Sequence, residues 1–530
     1  MINNKAKLTA VFLLLISNVL IGQSADTDLQ KVETVYNYID QFYVEDVDNN
    51  KIAEAAIVSM LKELDPHSVY ISKDEVQAMN EPLVGNFEGV GIQFNILDDT
   101  IVVVATIAGG PSEKVGLLAG DKIVNIDDEL VAGIGITNKG VMDRLRGEKD
   151  SEVGVEIKRE GVKKLLDFKI IRDKIPLYSV DASYMATDKI GYVKINRFAA
   201  KTNEEFRNAL VKLKSEGMES LIIDLKGNPG GYLNAAFYLA DELLGDGKLI
   251  VYTEGKNSPR NDMKATRYGN FEEGDIVVLI DQYSASASEI LSGAIQDWDR
   301  GVVVGRRSFG KGLVQKPFPL PDGSQIRLTI ADYYTPSGRF IQKPYENGVD
   351  EYRKDIINRL NSGELTDSLV DHFPDSLKFK TNNGRTVYGG GGITPDVFVP
   401  LDTTFSTDFY SDVLRKGYIN QFALKYANNY RDELTQYYPN VKEFDTNFTA
   451  NDEFLGEFLN YIKEKELEYK NEEYEKSKLV LGVQLKALVA RNIYDGEAYY
   501  YVVNKVLNDE FKKAIEILKS NKINNYLSYE

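Results

Sequence analysis

Three polar side chains stand out by type and spacing in the stretch Ile276 to Gln315. Ser286 lies in the small-residue run Ser284-Ala-Ser-Ala-Ser288, Lys311 follows 25 positions later between two glycines, and Gln315 lies four residues beyond the lysine. A serine hydroxyl and an unprotonated lysine amine are sufficient for acyl transfer, the amine taking the proton that a histidine takes in other enzymes. Such a lysine must be brought from about 10.4 to near 7, a displacement worth about 4 to 5 kcal/mol of differential desolvation, which a dry pocket can supply. Gln315 is spaced to hold the amine by a hydrogen bond. Taken alone, a serine in a run of small residues is more often a packing residue between strand and helix than a nucleophile.

The elements that must position these residues can be read around them. Ile276 to Ile280 is an apolar, branched run bounded by Asp281 and predicts a buried strand; Ile290, Leu291, Ala294, Ile295 and Trp298 have helical spacing. Ser284 to Ser288 therefore falls at a strand-to-helix turn, where a hydroxyl is exposed and the N–H groups at the helix start can stabilise an oxyanion. A second strand, Val302 to Val304, leads into Gly310-Lys311-Gly312, so one strand–helix–strand unit carries serine and lysine to the same sheet edge. Gly305 to Lys311 also spells G-x-x-x-x-G-K. Gly312 stands where a magnesium-binding Ser or Thr is required, and Leu313-Val314 continue as strand, so nucleotide binding is excluded.

The ordered pair S-A-S-A-S-E (284–289) and F-G-K-G-x-x-Q (309–315) resembles the carboxyl-terminal processing peptidases, tail-specific serine proteases with a Ser–Lys dyad, and the resemblance runs over roughly Asp65 to Pro400. It implies that Ser286 is the nucleophile, Lys311 the general base, Gln315 the residue that orients the lysine, and Asp297 a supporting structural aspartate. It further implies a crotonase-like α/β core. After the strand Leu221 to Leu225, Lys226-Gly-Asn-Pro-Gly-Gly-Tyr232 matches the family's N-x-G-G turn, whose glycines let backbone approach substrate closely. Gly230 and Gly231, with the N–H of Ala287, are assigned to the oxyanion hole.

The expected architecture is a multidomain α/β protein: 1–24 signal peptide, 25–82 N-terminal helical segment, 83–173 PDZ domain, 174–402 protease core with a cap or insertion around 345–380, and 403–530 helical C-terminal region. Lys5 and Lys7, then the apolar stretch Leu8 to Ile21, have the parts of a signal peptide and fall short of the roughly 20 residues of a membrane span. The expected location is the periplasm, with an uncleaved segment holding the protein at the membrane as the alternative. Asp46-Val-Asp-Asn-Asn-Lys51 starts like a calcium loop but has Lys51 at the required glycine and Ile57 at the closing glutamate, and is read as a turn. Leu64-Asp-Pro-His-Ser68 resembles a motif that the family carries ahead of its PDZ domain. The two histidines, His67 and His372, are read as packing or capping residues.

Residues 83–173 alternate short strands with glycine turns and resemble a PDZ domain, in which the N–H groups of Gly89, Val90, Gly91 and Ile92 would capture a peptide's C-terminal carboxylate while the peptide adds as a strand. Arg146 resembles an arginine that couples peptide occupancy to activation in some members; as a solvated helix-end cation it would be of little energetic weight. From Lys189, strands at 190–195, 220–225 and 249–253 alternate with helices at 203–214 and 233–244 ahead of the serine unit, the pattern of an α/β layered domain. Beyond 403, amphipathic helices are predicted over 453–467, 479–489 and 499–518, with a charge-dense helical surface at 463–478 and no chemistry.

The chain has 530 residues, 43% apolar, enough for a large core and three or four domains. Its net charge of −18 argues against nucleic acid and anionic membrane as partners, and the absence of cysteine removes disulfides, thiol catalysis and a lipoprotein anchor. No cofactor and no metal are expected. The expected partners are protein or peptide substrates with accessible C-termini, with room left for an adaptor protein and a homo-oligomer. The expected function is that of an exported Ser–Lys endopeptidase; the alternative is a catalytically silent PDZ-bearing scaffold or holdase.

Overall fold

A computed structural model of the chain describes residues 27–107, 109–266, 269–367, 374–520 and 523–528. The signal segment expected at 1–24 and His372 lie outside the described residues. The chain divides into two compact units, one running up to Val76 and including Gln315–Thr329, the other made of Gln77–Val314 and Ile330 onward.

In the smaller unit a helix over 27–42 precedes the helix Asn49–Lys62. Asp48 caps that second helix by accepting from the N–H groups of Asn50 and Lys51, so the stretch that begins like a calcium loop is a helix start. Strand Val69–Ile71 pairs antiparallel with Gln325–Arg327.

The core of the larger unit is a six-stranded sheet in the order Val180–Met185, Ile190–Ile195, Ser220–Asp224, Ile276–Ile280, Val302–Gly305, Val397–Phe398; the first pair is antiparallel and all others are parallel. Parallel strands buried on both faces need near-continuous apolar sequence, and Ile276-Val-Val-Leu-Ile280 supplies it. One face (Val193, Leu221, Ile223, Val278, Val303) packs under the helices Thr202–Ser215, Leu233–Asp241 and Ala287–Asp297. The other face (Tyr192, Ile222, Val277, Val304) is covered by Phe511, Ala514, Ile517 and Leu518 of the helix Asp509–Lys519, so the C-terminal region completes the core.

Several expectations change in detail. Strand Leu249–Gly255 does not join the core sheet; it forms a hairpin with Ser258–Lys264 and pairs at Tyr252–Glu254 with Asp332–Tyr334. Only Ile250 and Val251 are buried along it, which suits an antiparallel sheet with one wetter face rather than a doubly covered one. The stretch 345–380 contains a regular helix, Val349–Asn361, which buries only Tyr352 and Arg359 and so shows little apolar periodicity.

Residues 92–171 form an antiparallel sheet in the order Ile92–Leu97, Thr100–Thr106, Lys122–Ile126, Glu152–Lys158, Leu166–Ile171, with helices Pro111–Val115 and Asn138–Leu145. Strand Asn86–Gly89 leads in and Asp173–Pro176 leads out, paired with each other. The C-terminal helices share an aromatic core around Phe422, Phe444, Phe454 and Phe458. The predicted continuous helix over 463–478 is interrupted, Glu466 at φ 56° ending one helix at Glu464 before the next begins at Asn471. Likewise Asn508 divides 499–518 by capping Asp509–Lys519.

Candidate active site

Ser286 stands between strand Ile276–Ile280 and helix Ala287–Asp297 at φ 56°, ψ −113°. A non-glycine residue held there is strained by about 1 to 3 kcal/mol and persists only where its surroundings fix it. Ser286 is partly exposed, whereas Ser284 and Ser288 are fully buried. Both buried serines are engaged: Ser284 Oγ donates to the Leu225 carbonyl at 2.9 Å and accepts from Asp281 N–H, and Ser288 Oγ donates to the Asn228 carbonyl at 3.0 Å.

What fixes Ser286 is Glu289, three residues into the helix and fully buried. Its Oε2 accepts from Ser286 N–H at 2.7 Å and from Lys311 N–H at 2.9 Å; its Oε1 accepts from Gly310 N–H at 2.7 Å and from the Ser308 hydroxyl. One carboxylate thus ties the serine turn to the lysine loop. Burial pushes this carboxyl up to about 6, opposed by the four donors around it. The buried Tyr333 hydroxyl also reaches the carbonyl of Ser286, at 3.0 Å, and that of Lys311. Ser286 and Lys311, expected at one sheet edge, are therefore brought together through shared backbone partners. The loop's glycines are needed for approach: a Cβ on Gly312 would stand 2.9 Å from the Gln342 nitrogen, and Gly310 has φ 87°.

The Asn228-Pro-Gly-Gly231 turn lies against the serine. A Cβ on Gly230 would meet Ser286 Cβ at 2.8 Å and the Ala287 nitrogen at 3.0 Å. Fully buried Asn228 shapes the turn, its Nδ2 donating to the Ile195 carbonyl and its Oδ1 accepting from Gly230 N–H at 2.8 Å. Gly230 N–H is thus spent within the turn. Gly231, at φ 148°, packs onto Phe198, where a Cβ would stand 2.1 Å from the carbonyl oxygen.

Asp297, at the end of the serine helix, is fully buried with Arg339: Oδ1 accepts from Arg339 Nη2, and Oδ2 from Ser337 N–H at 2.9 Å and Ser337 Oγ at 2.7 Å. It holds the Thr335–Arg339 loop to the helix and points at no reacting atom. Gln315 belongs to the smaller unit, where its Nε2 donates to the main-chain carbonyl of His67. That carbonyl sits in a turn closed by Asp65, whose Oδ1 accepts from His67 N–H at 2.8 Å and Ser68 N–H at 2.9 Å.

At the PDZ turn, the Val90 carbonyl accepts from Ser112 N–H and Oγ, and the Gly91 carbonyl from Ile107 N–H at 2.9 Å, with Gly91 at φ 74°. Gly89 bridges Arg146 in antiparallel fashion, and Ile92 begins the edge strand Ile92–Leu97. The Arg146 guanidinium lies 4.8 Å from the Phe87 ring centroid and donates to Glu81 Oε2 at 2.6 Å, on the helix Lys73–Val84 that leads into the domain. It is the C-cap of the helix Asn138–Leu145, and its partly exposed guanidinium is ion-paired.

Glu289 closes the S-A-S-A-S-E motif, and its signal in the sequence is the capping box, Ser followed three residues later by Glu. Tyr333 and Glu510 carry no local signal. Glu510, on the last long helix, pairs with Lys226 at 2.7 Å and with Arg306, so it ties the start of the glycine turn to the start of the lysine loop.

Comparison with known proteins agrees with this layout. The model of peptidase family S41 matches residues 189–351, a PDZ domain model 89–170, the N-terminal domain of the activating protease CtpB 16–75, and a family of unknown function 409–495. The chain is 38% identical over 321 residues to the carboxy-terminal processing protease CtpB of Bacillus subtilis, the match covering 60% of this chain and 66% of the relative. To a probable CtpA-like serine protease of Staphylococcus aureus it is 33% identical over 340 residues, covering 63% and 67%. These matches span about two thirds of each relative's length. Among solved structures, the photosystem II D1 C-terminal processing protease matches with 27% identity and TM-score 0.35, over 71% of this chain and 87% of that one. With a parallel core sheet, a serine turn and lysine loop clamped by one glutamate, and an inserted PDZ domain, the chain belongs to peptidase family S41, among its carboxy-terminal processing members.

Proposed function

We propose that the protein is an exported, periplasmic serine endopeptidase that recognises C-terminal tails through its PDZ domain and cleaves peptide bonds with a Ser286–Lys311 dyad. The observation that carries this reading is the clamp: Glu289 and Tyr333 bind the main chains of Ser286 and Lys311 alike, which holds a strained, partly exposed serine and a lysine in one place. The hydroxyls of Ser284 and Ser288 are committed to buried carbonyls, which favours Ser286 as nucleophile.

In the proposed mechanism the neutral Lys311 amine takes the Ser286 proton as Oγ attacks the scissile carbonyl. The oxyanion forms beside Ala287 and Gly231, whose N–H groups serve as its donors, while Gly230 supplies the close approach. The lysine then gives its proton to the departing amine, leaving an acyl ester on Ser286. Water attacks the ester with Lys311 again as base. Gln315, by the family motif, orients the lysine, and Asp297 acts through the Arg339 ion pair to fix the loop behind the helix.

The N–H groups of the Gly89–Ile92 turn would take a substrate's terminal carboxylate, with Arg146 shifting between Glu81 and the occupied state. An adaptor and self-association belong to the same proposal; the helix over 27–42 exposes Leu29, Val32, Val35 and Tyr38, apolar surface that association would bury. Incubation with an unstructured peptide, followed by mass mapping of products, tests the reading: internal cuts that depend on a free C-terminus support it, and no cleavage of any tail under folded conditions overturns it. The mature N-terminus, read from protein isolated from periplasm, tests export.

A further inference from the structure

The helices Tyr418–Asn429, Arg431–Tyr437 and Asp452–Glu464 enclose a cleft of about 370 Å3. Its wall is aromatic: the Tyr426 ring centroid lies 4.6 Å from that of Tyr430 and 4.7 Å from that of Phe454, and Phe454 lies 5.3 Å from Phe448. Three carboxylates line the cleft beside these rings, Glu433 and Glu453 exposed and Glu457 partly buried, and among the described residues no lysine, arginine or histidine lines it. Burial and then Glu457 push the Tyr426 phenol up to about 12, and Glu457 itself is raised by burial and by Glu453 beside it. The Tyr430 hydroxyl hydrogen-bonds Glu457, but no cation of the cleft's lining offsets the carboxylates beside these electron-rich rings.

An adjoining cleft, which shares Tyr426 and Glu457, contains the complementary arrangement. There the chain's own Lys425 places its ammonium 5.4 Å from the Tyr461 ring centroid and 3.8 Å from the Glu464 carboxylate. The larger cleft has the ring and the carboxylate without the cation.

We propose that this cleft binds lysine or arginine side chains of a basic polypeptide segment. A polypeptide rather than a small amine is indicated by three separated carboxylates and by acidic residues that continue past Glu457 to Glu464 along one helix, a spacing that several cationic side chains on one strand can meet. The net charge of −18 steers such a segment toward the protein. Nothing in this proposal depends on peptidase activity.

The test uses the full chain with Ser286→Ala, so that no probe is cut, and a fluorescent, unstructured, lysine-rich peptide with an amidated C-terminus, which removes the carboxylate that a PDZ domain would take. Fluorescence anisotropy should show binding that weakens at least about tenfold when the peptide's lysines are replaced by glutamine. The Glu453→Gln/Glu457→Gln double variant and Tyr430→Leu should each weaken the lysine peptide by a similar factor, with circular dichroism and thermal melting unchanged. Equal binding of lysine and glutamine peptides would overturn the proposal, as would full affinity in the folded double variant. Tetramethylammonium chloride displacing the peptide at concentrations where sodium chloride does not would reassign the cleft to a free quaternary amine and equally overturn it. Because a chain of net charge −18 attracts any lysine peptide, a third variant at an exposed carboxylate outside the cleft, Glu472→Gln, should leave the affinity unchanged; an equal loss there would overturn the proposal.

Discussion

Replacing Glu289 with glutamine should separate stability from chemistry. The carboxylate accepts from Ser286, Gly310 and Lys311 N–H and from Ser308 Oγ, and a carboxamide offers one oxygen in place of two. With the amide nitrogen toward Ser308, that hydroxyl can rotate to accept from it, and only Gly310 N–H is left facing a donor. The opposite orientation sets a donor against both Ser286 and Lys311. The lost charge-assisted bond costs about 1.5 to 3 kcal/mol. Against it, burial has moved the carboxyl from 4.5 to about 6, a penalty of about 2 kcal/mol on the ionised form that glutamine does not carry. The effects offset one another, so unfolding by urea at neutral pH should differ from wild type by about 1 kcal/mol or less. The lysine loop has nonetheless lost an anchor, and a displacement of about 1 Å at a reacting group is worth roughly a hundredfold in rate, so saturating peptide cleavage should fall about 10- to 100-fold. Glu289→Ala leaves three buried N–H groups unpaired at about 1 to 3 kcal/mol each and should abolish the fold of this region. The pH dependence has a definite sign. A carboxyl raised on folding contributes most below its unfolded value of 4.5 and loses that contribution as pH rises through about 6. Wild type should therefore lose about 2 kcal/mol relative to Glu289→Gln between those limits. Wild-type turnover in Glu289→Gln, or a stability loss as large as that of the alanine variant, would refute the clamp.

Glu510→Ala leaves Lys226 and Arg306 without their shared carboxylate and should cost about 3 to 5 kcal/mol in urea unfolding, whereas an exposed glutamate variant such as Glu472→Ala should cost almost nothing. His67→Gln with His372→Gln should leave acylation intact, because Gln315 is held by the His67 carbonyl and not its imidazole; loss of chemistry in the folded double variant would favour a histidine base. Amidating a substrate's C-terminus removes a charge-assisted contact of roughly 1.5 to 3 kcal/mol and should slow cleavage about 10- to 150-fold at limiting substrate, and equal cleavage of both forms would exclude carboxylate recognition.

What could be read in advance followed from local pattern. The apolar run Ile276–Ile280 and the small residues after it announce a buried strand and a tight turn, because a strand covered on both faces favours an unbroken apolar run. The paired glycines at 230 and 231 announce close approach, since both hold positive φ against neighbouring backbone. Other features depend on tertiary pairing that spacing does not encode. Tyr333 reads as an ordinary strand residue until the fold sets its hydroxyl on two carbonyls. Helix Asp509–Lys519 reads as a tail until it covers the back of the core sheet. Val349–Asn361 escapes notice because its buried face is made partly by Arg359, whose guanidinium donates to the Arg307 and Ser308 carbonyls. Strand Leu249–Gly255 has strand composition, but composition does not say which sheet receives it.

The most direct test of the dyad is cleavage of one unstructured peptide with a free C-terminus by five purified proteins: wild type, Ser284→Ala, Ser286→Ala, Ser288→Ala and Lys311→Ala, each checked for fold by thermal melting. The dyad predicts that Ser286→Ala and Lys311→Ala are equally silent and that combining them adds nothing, because both act in one step. It predicts residual cleavage in Ser284→Ala and Ser288→Ala, whose hydroxyls only brace the turn. Cleavage by Ser286→Ala at the wild-type rate, with the same product masses, would contradict it.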